Sequence, residues 1–201
     1  QLAIGESTFG GREILQSDNG LIDCQRLCQL MVERSATARA AIKMAGELTQ
    51  QYGWIDAGEC LTIADKNEVW HFEIVGPGKG LKGAIWAAQR VPDDHVGVNA
   101  NASTIKEIDL KNTDYFIASD NIFKVAQDSG WWNPEKEPFQ FCYAYAPESR
   151  ASIASRRREW RVFDLLAPSL KLDPNAENYP FSVKPDAQVT PEKLVAVFKD
   201  Y

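Results

Sequence analysis

Only two histidines, His71 and His95, are available as a general base. A Ser-His-Asp or Cys-His engine needs one beside its nucleophile. His71 lies within Val69-Trp70-His71-Phe72-Glu73, alternating with aromatics as a strand residue would, and His95 follows the turn Pro92-Asp93-Asp94. Neither neighbours a Gly-x-Ser-x-Gly nucleophile elbow, so both read as structural, and hydrolysis by this chain would have to run without histidine. The four cysteines, Cys24, Cys28, Cys60 and Cys142, form no Cys-x-x-Cys pair and no His/Cys group of zinc-ligand spacing. Cys24 and Cys28 are four apart on an expected helix, which puts them on one face and favours packed thiols over a disulfide. Gly76-Pro77-Gly78-Lys79-Gly80 lacks the Gly-Lys-Ser/Thr ending of a phosphate loop, and no helix opens behind it. It reads as a hairpin loop.

Two features leave their chemistry open. Arg156-Arg157-Arg158 and Arg161 lie on an expected helix with Val162 and Leu165 on one side and Ile153, Trp160 and Phe163 on the other. A helix apolar on two sides is substantially buried, and a buried guanidinium needs a carboxylate to match its fork. That partner is either an internal Asp or Glu or a carboxylate of a substrate. Asn99-Ala100-Asn101-Ala102-Ser103 ends a strand. Asparagine there serves either turn chemistry or as an amide donor to a developing oxyanion, a contact worth about 3 kcal/mol of barrier.

These residues must be placed by a chain of 201 residues, enough for a single domain spanning 1–201. Its 44% apolar and 25% charged residues are those of an ordinary soluble protein. A net charge of -6 argues against nucleic-acid and anionic-membrane partners, and no run approaches the roughly 18 apolar residues of a membrane-spanning helix. Gln1 to Phe9 alternates like a strand. Helices are expected over Asp23 to Glu33 and over Ala36 to Tyr52, the second capped by Ser35 and closed by Gly53. Strand-like runs follow at Cys60–Ala64, Val69–Val75, Ala84–Arg90 and His95–Asn99. Beyond them come a short helix over Asp120 to Ser129, a strand or extended segment over Phe139 to Tyr145, a helix over Ile153 to Leu166, a long loop over Pro174 to Pro185, and a last helix capped by Thr190 with Pro191 at its first position. An antiparallel meander with helices before and after it predicts an α+β domain with helices packed on the sheet.

Several segments resemble the dipeptidase family that includes the secernins. They are Gly5-Glu6-Ser7-Thr8-Phe9-Gly10-Gly11-Arg12-Glu13, Trp86-Ala87-Ala88-Gln89-Arg90-Val91-Pro92-Asp93-Asp94, Asn101-Ala102-Ser103-Thr104-Ile105-Lys106-Glu107-Ile108-Asp109-Leu110 and Ser155-Arg156-Arg157-Arg158-Glu159-Trp160-Arg161-Val162. Leu166-Ala167-Pro168-Ser169-Leu170 and Tyr179-Pro180-Phe181-Ser182-Val183-Lys184-Pro185-Asp186 complete the series. The resemblance implies an N-terminal-nucleophile hydrolase with a four-layer αββα core, of which this chain would be an internal part. In that family a cysteine exposed by processing attacks the amide, and its own α-amino group is the base. Such an amine titrates near pH 8, well placed for the role.

The matching part of this chain begins downstream of that nucleophile, so none of its cysteines is promoted, and the fragment alone is expected not to turn over. By the same resemblance Asn101 helps hold the oxyanion, Arg158 or Arg161 is a pocket arginine, and Glu6 and Ser7 line the same cleft. No metal or other cofactor is implied. The expected partners are a dipeptide and either the upstream segment or a second copy at an unpaired sheet edge, with both chain ends expected to be internal. The compartment, exported or cytoplasmic in a bacterium, stays open. A catalytically silent secernin-like module and an amidase of the bile-salt-hydrolase or penicillin-acylase type are the alternatives.

Overall fold

A computed structural model of the chain describes residues 1–200. Five strands, β1 (Ala3–Gly10), β2 (Gly58–Ala64), β3 (Val69–Val75), β4 (Ile85–Val91) and β6 (Phe116–Ala118), form one sheet in the order β1-β2-β3-β4-β6, with every neighbouring pair antiparallel. A two-stranded ribbon pairs β5 (Val96–Gly97) with β7 (Ser182–Val183). The architecture is α+β, as the element pattern predicts.

Strand alternation sorts the sheet into two faces. Leu61 and Ile63 of β2, Trp70, Phe72 and Ile74 of β3, and Trp86 and Ala88 of β4 point one way and are covered by α1 (Cys24–Arg34) and α2 (Ala38–Tyr52). Asp23 caps α1, accepting from the Arg26 amide at 2.7 Å, and Leu27 and Met31 sit one turn apart on its buried side. The buried face of α2 is made of small residues, Ala38, Ala41, Ala45 and Gly46, with Ile42 and Thr49 among them. Small side chains let α2 lie close on the sheet: a Cβ at Gly46 would stand 2.5 Å from Trp86 Cζ2. Gly53, with φ of 78°, ends the helix in a backbone region open to glycine.

The other face carries Phe9, Cys60, Val75, Ile85 and Ala87, packed against Ile105 and the aromatic cluster Phe139, Phe141 and Tyr145. Four helices follow on the chain: α3 (Ile122–Asp128), α4 (Phe141–Tyr145), α5 (Pro147–Ala151) and α6 (Ile153–Leu166), with α7 (Pro191–Phe198) last.

Four expectations are corrected. Thr37, not Ser35, caps α2, accepting from the Ala40 amide at 3.2 Å; Ser35 instead closes α1. Two good capping residues stood two positions apart, and Asp65 Oδ2, accepting from the Ala38 amide at 2.8 Å, fixes which turn starts the helix. Phe139 to Tyr145 is not extended: Phe141–Tyr145 is a helix, because burial of Phe141, Cys142, Ala144 and Tyr145 overrides local preference. The strand expected over His95–Asn99 shrinks to Val96–Gly97, and its partner β7 lies inside the segment expected to be a loop. The three-residue β6, too short to carry a period-2 signal, joins the sheet edge beyond β4. No helix among the described residues is long and apolar enough to cross a membrane.

Candidate active site

A buried carboxylate on β3 anchors the loop that carries the candidate catalytic asparagine. Glu73 is fully buried and points to the face away from α1 and α2, where it accepts from Ser103 Oγ at 2.5 Å, the Thr104 amide at 2.6 Å, Thr104 Oγ1 at 3.0 Å and the Ile105 amide at 3.3 Å. Burial raises its carboxyl above the usual range, and these donors pull against that rise. The same loop is held from above: the Ser103 amide donates to Ser149 Oγ at 3.1 Å, and Arg150 Nη1 reaches Ser103 O at 3.4 Å and Glu159 Oε2 at 3.1 Å. Segment 100–105 thus runs between sheet and helices with its polar groups paired on both sides.

At the start of this segment Asn101 adopts a left-handed backbone, φ 55°, which asparagine tolerates better than most residues. Its amide donates to Ser7 Oγ on β1 at 3.1 Å, and its Nδ2 donates to Thr8 O at 2.8 Å. Its Oδ1 accepts from Arg158 Nη1 on α6 at 2.9 Å. Arg158 also donates from Nη2 to Ala100 O at 3.0 Å and from Nε to Ala154 O at 3.2 Å, while Ser155 Oγ donates to Asn101 O at 3.2 Å. Strand, loop and helix meet at one carboxamide, which is exposed yet held at both ends. One Nδ2 hydrogen and two guanidinium N–H groups are left over by this bonding. They can donate to a carbonyl oxygen or a carboxylate from solution.

The structure therefore brings together Asn101, Arg158 and Ser7 of the residues singled out in the sequence, and separates two others. Arg161 makes a bidentate pair with Asp200, Nε to Oδ2 at 2.6 Å and Nη2 to Oδ1 at 2.9 Å, and reaches Asp164 Oδ2 at 2.8 Å. Three helical positions from Arg158 turn it toward the end of α7, where carboxylates already occupy its fork. Glu6 and Ser7 do not line one cleft. Adjacent strand residues face opposite sides, so Glu6 points toward α1, near Cys24 and Glu59. Nor is the buried arginine one of the cluster 156–158: Arg156 donates to Ala176 O at 2.7 Å and Arg157, exposed, to Asn175 Oδ1 at 2.7 Å. The buried one is Arg150, whose side chain and that of Glu159 are each 3% exposed. A single arginine in Glu148-Ser149-Arg150-Ala151 carries no periodic signal, so nothing local marked it. Glu73 did have a signal, a charge in a strand with apolar residues on both faces.

His71 is buried, edge-on to Phe181 with centroids 5.2 Å apart, and burial lowers it to about 4. His95 Nδ1 meets Ser182 Oγ at 2.9 Å on the β5–β7 ribbon. All four cysteines are free. Burial pushes the Cys60 thiol well up and the Cys142 thiol to about 12, which suits packing and not attack. The half-buried Cys28 is lowered, by a hydrogen bond from Cys24, but it sits under the face opposite Asn101.

Comparison with known proteins places the chain in a family. Over 205 residues the chain is 27% identical to a protein named "Probable dipeptidase" from Latilactobacillus sakei, covering 100% of this chain and 41% of that protein. It is 28% identical over 189 residues to "Probable dipeptidase B" from Lactococcus lactis subsp. lactis (strain IL1403), 92% of this chain and 38% of the relative. A "Probable dipeptidase" from Salmonella dublin is 26% identical over 152 residues, 72% and 33% of the two chains. The chain thus spans about two fifths of the length of the first two curated relatives, 41% and 38%. The model described as peptidase family C69 matches residues 1–201, and the chain belongs to that family.

Proposed function

We propose that the protein hydrolyses dipeptides with an N-terminal cysteine nucleophile carried on sequence upstream of residue 1, and that this chain supplies the oxyanion donor. The observation that carries the proposal is the fixation of Asn101, whose carboxamide is held by Thr8 and Arg158 with one N–H left to give. In the reaction the cysteine sulfur attacks the peptide carbonyl carbon while its own α-amino group takes the thiol proton. Negative charge gathers on the carbonyl oxygen, where Asn101 Nδ2 donates a hydrogen bond. The C–N bond then breaks, the amine leaves with the proton, and water hydrolyses the thioester to release the second amino acid. Arg158 is a positioning residue: it holds Asn101 Oδ1 and polarises the amide toward stronger donation. This division of labour explains why two structural histidines suffice.

The relatives' printed names support a dipeptide as the substrate. The outer edge of β1 has no strand paired to it among the described residues. We read it as the edge on which the upstream segment pairs, bringing its cysteine near Ser7 and Asn101. Without that segment the open edge favours self-association, which light scattering on the isolated chain would detect as a dimer or larger species.

The test is the N-terminal sequence of the intact gene product together with hydrolysis of a small dipeptide panel. A mature N-terminal cysteine, with turnover abolished when that cysteine is replaced by alanine, supports the reading. An intact protein without such a cysteine and without hydrolysis makes the chain part of a catalytically silent module. Cleavage of larger acyl amides but not dipeptides makes it an amidase.

A further inference from the structure

On the face of the sheet opposite Asn101, three groups from three separate elements converge: Glu6 on β1, Glu59 on β2 and Cys24 at the first position of α1. Their ligand atoms all lie within 4.8 Å of one another. We propose that they form a zinc site, with the fourth position open to water. A tetrahedral zinc with bonds of about 2.0–2.3 Å holds its ligand atoms roughly 3.3–3.8 Å apart, so small rotamer shifts close the cluster onto an ion.

Several observations point to a ligand here and away from ordinary packing. Glu59 is 3% exposed, yet its Oε2 is fully buried and has no hydrogen-bond partner. A buried unpaired carboxylate oxygen is costly, and here it stands beside a second carboxylate and a thiol. Asp56 Oδ2 accepts from the Cys24 amide at 3.0 Å, which fixes the end of the helix that presents the thiol. Glu6 is exposed, giving the ion a route in.

Mixed carboxylate and thiol donors suit zinc better than magnesium or calcium, which take oxygen alone. The ion would then tie the edge strand β1 to β2 and to α1. The spacing 6, 24, 59 matches no sequence motif, because three elements supply one ligand each.

The test is native mass spectrometry and Zn2+ titration of the chelator-stripped full chain, with Cd2+ as a probe for thiolate-to-metal absorption. The expected result is one zinc per chain, a Cd2+ band that disappears in Cys24→Ala, and a Tm that rises with Zn2+. Glu6→Gln, at an exposed position, should fold as the parent does while weakening zinc at least about tenfold. Absence of stoichiometric zinc would overturn the site. So would equal zinc affinity in Glu6→Gln, Glu59→Gln and the parent.

Discussion

The two faces of the central sheet are built on different physics. Under α1 and α2 the contacts are mostly apolar, Leu61, Ile63, Trp70, Phe72, Ile74 and Trp86 against a small-residue helix stripe, with the Glu6, Glu59 and Cys24 group beside β1 as the exception. Away from these helices, buried polar groups are interleaved with the aromatics: Glu73 with Ser103 and Thr104, Arg150 with Glu159, and His71 beneath Phe181. Dispersion and hydrophobic burial tolerate small errors in position, whereas a buried charge must find its partner or be strongly destabilising. The polar face is therefore the one that fixes a loop in a single geometry, and Asn101 sits at the start of that loop.

The sharpest break in this comparison is Arg150→Met. It leaves Glu159 buried without its hydrogen-bonded partner, and loss of about 3–5 kcal/mol is expected in urea unfolding. The double variant Arg150→Met with Glu159→Leu should recover most of it, since removing both charges leaves none unpaired. Leu61→Ala under the helices should cost about 2–5 kcal/mol, with no partner variant able to restore it.

The faces should also part in pH dependence. His71 is held near 4 against an ordinary value of 6.5, so the unfolded chain binds a proton that the folded chain refuses. Its contribution is complete above pH 6.5 and is lost as pH falls through about 4, reaching about 3 kcal/mol. Unfolding free energies measured from pH 7 to pH 4 should fall less steeply for His71→Phe than for the parent. Gly46→Ala tests the helix face instead. The added methyl meets Trp86, and about 1–3 kcal/mol should be lost at every pH in that range. The smallest effect belongs to Arg161→Gln, whose partners are surface carboxylates; thermal melts and turnover should stay near the parent's, in contrast to Arg158→Gln.

What the sequence made legible follows the same division. Period-2 and period-3.6 patterns marked β2, β3, β4, α1, α2 and α6 to within a few residues, because apolar burial writes itself into local order. β6, β7 and α4 escaped and β5 was drawn too long, since two to five residues cannot carry a period and the strands' pairing partners are distant in the chain. Asn101 and Arg158 entered through family resemblance, and only coordinates could put them 2.9 Å apart across a separation of 57 residues. The choice between Arg158 and Arg161 was likewise invisible to spacing, because it depends on where the end of α7 places Asp200. Glu6 and Ser7 were separable in principle: strand alternation alone assigns neighbours to opposite faces.

The measurement that bears most directly on the account is steady-state hydrolysis of a dipeptide by Asn101→Asp in the intact processed protein. Aspartate keeps the shape and the tolerance for a left-handed backbone but removes both Nδ2 hydrogens, the one given to Thr8 O and the one that would face the oxyanion. A fall in kcat of about a hundred- to a thousandfold, with KM near the parent's, is the predicted result. Turnover within a few-fold of the parent's would contradict it and leave Asn101 as the residue that pins β1 to α6.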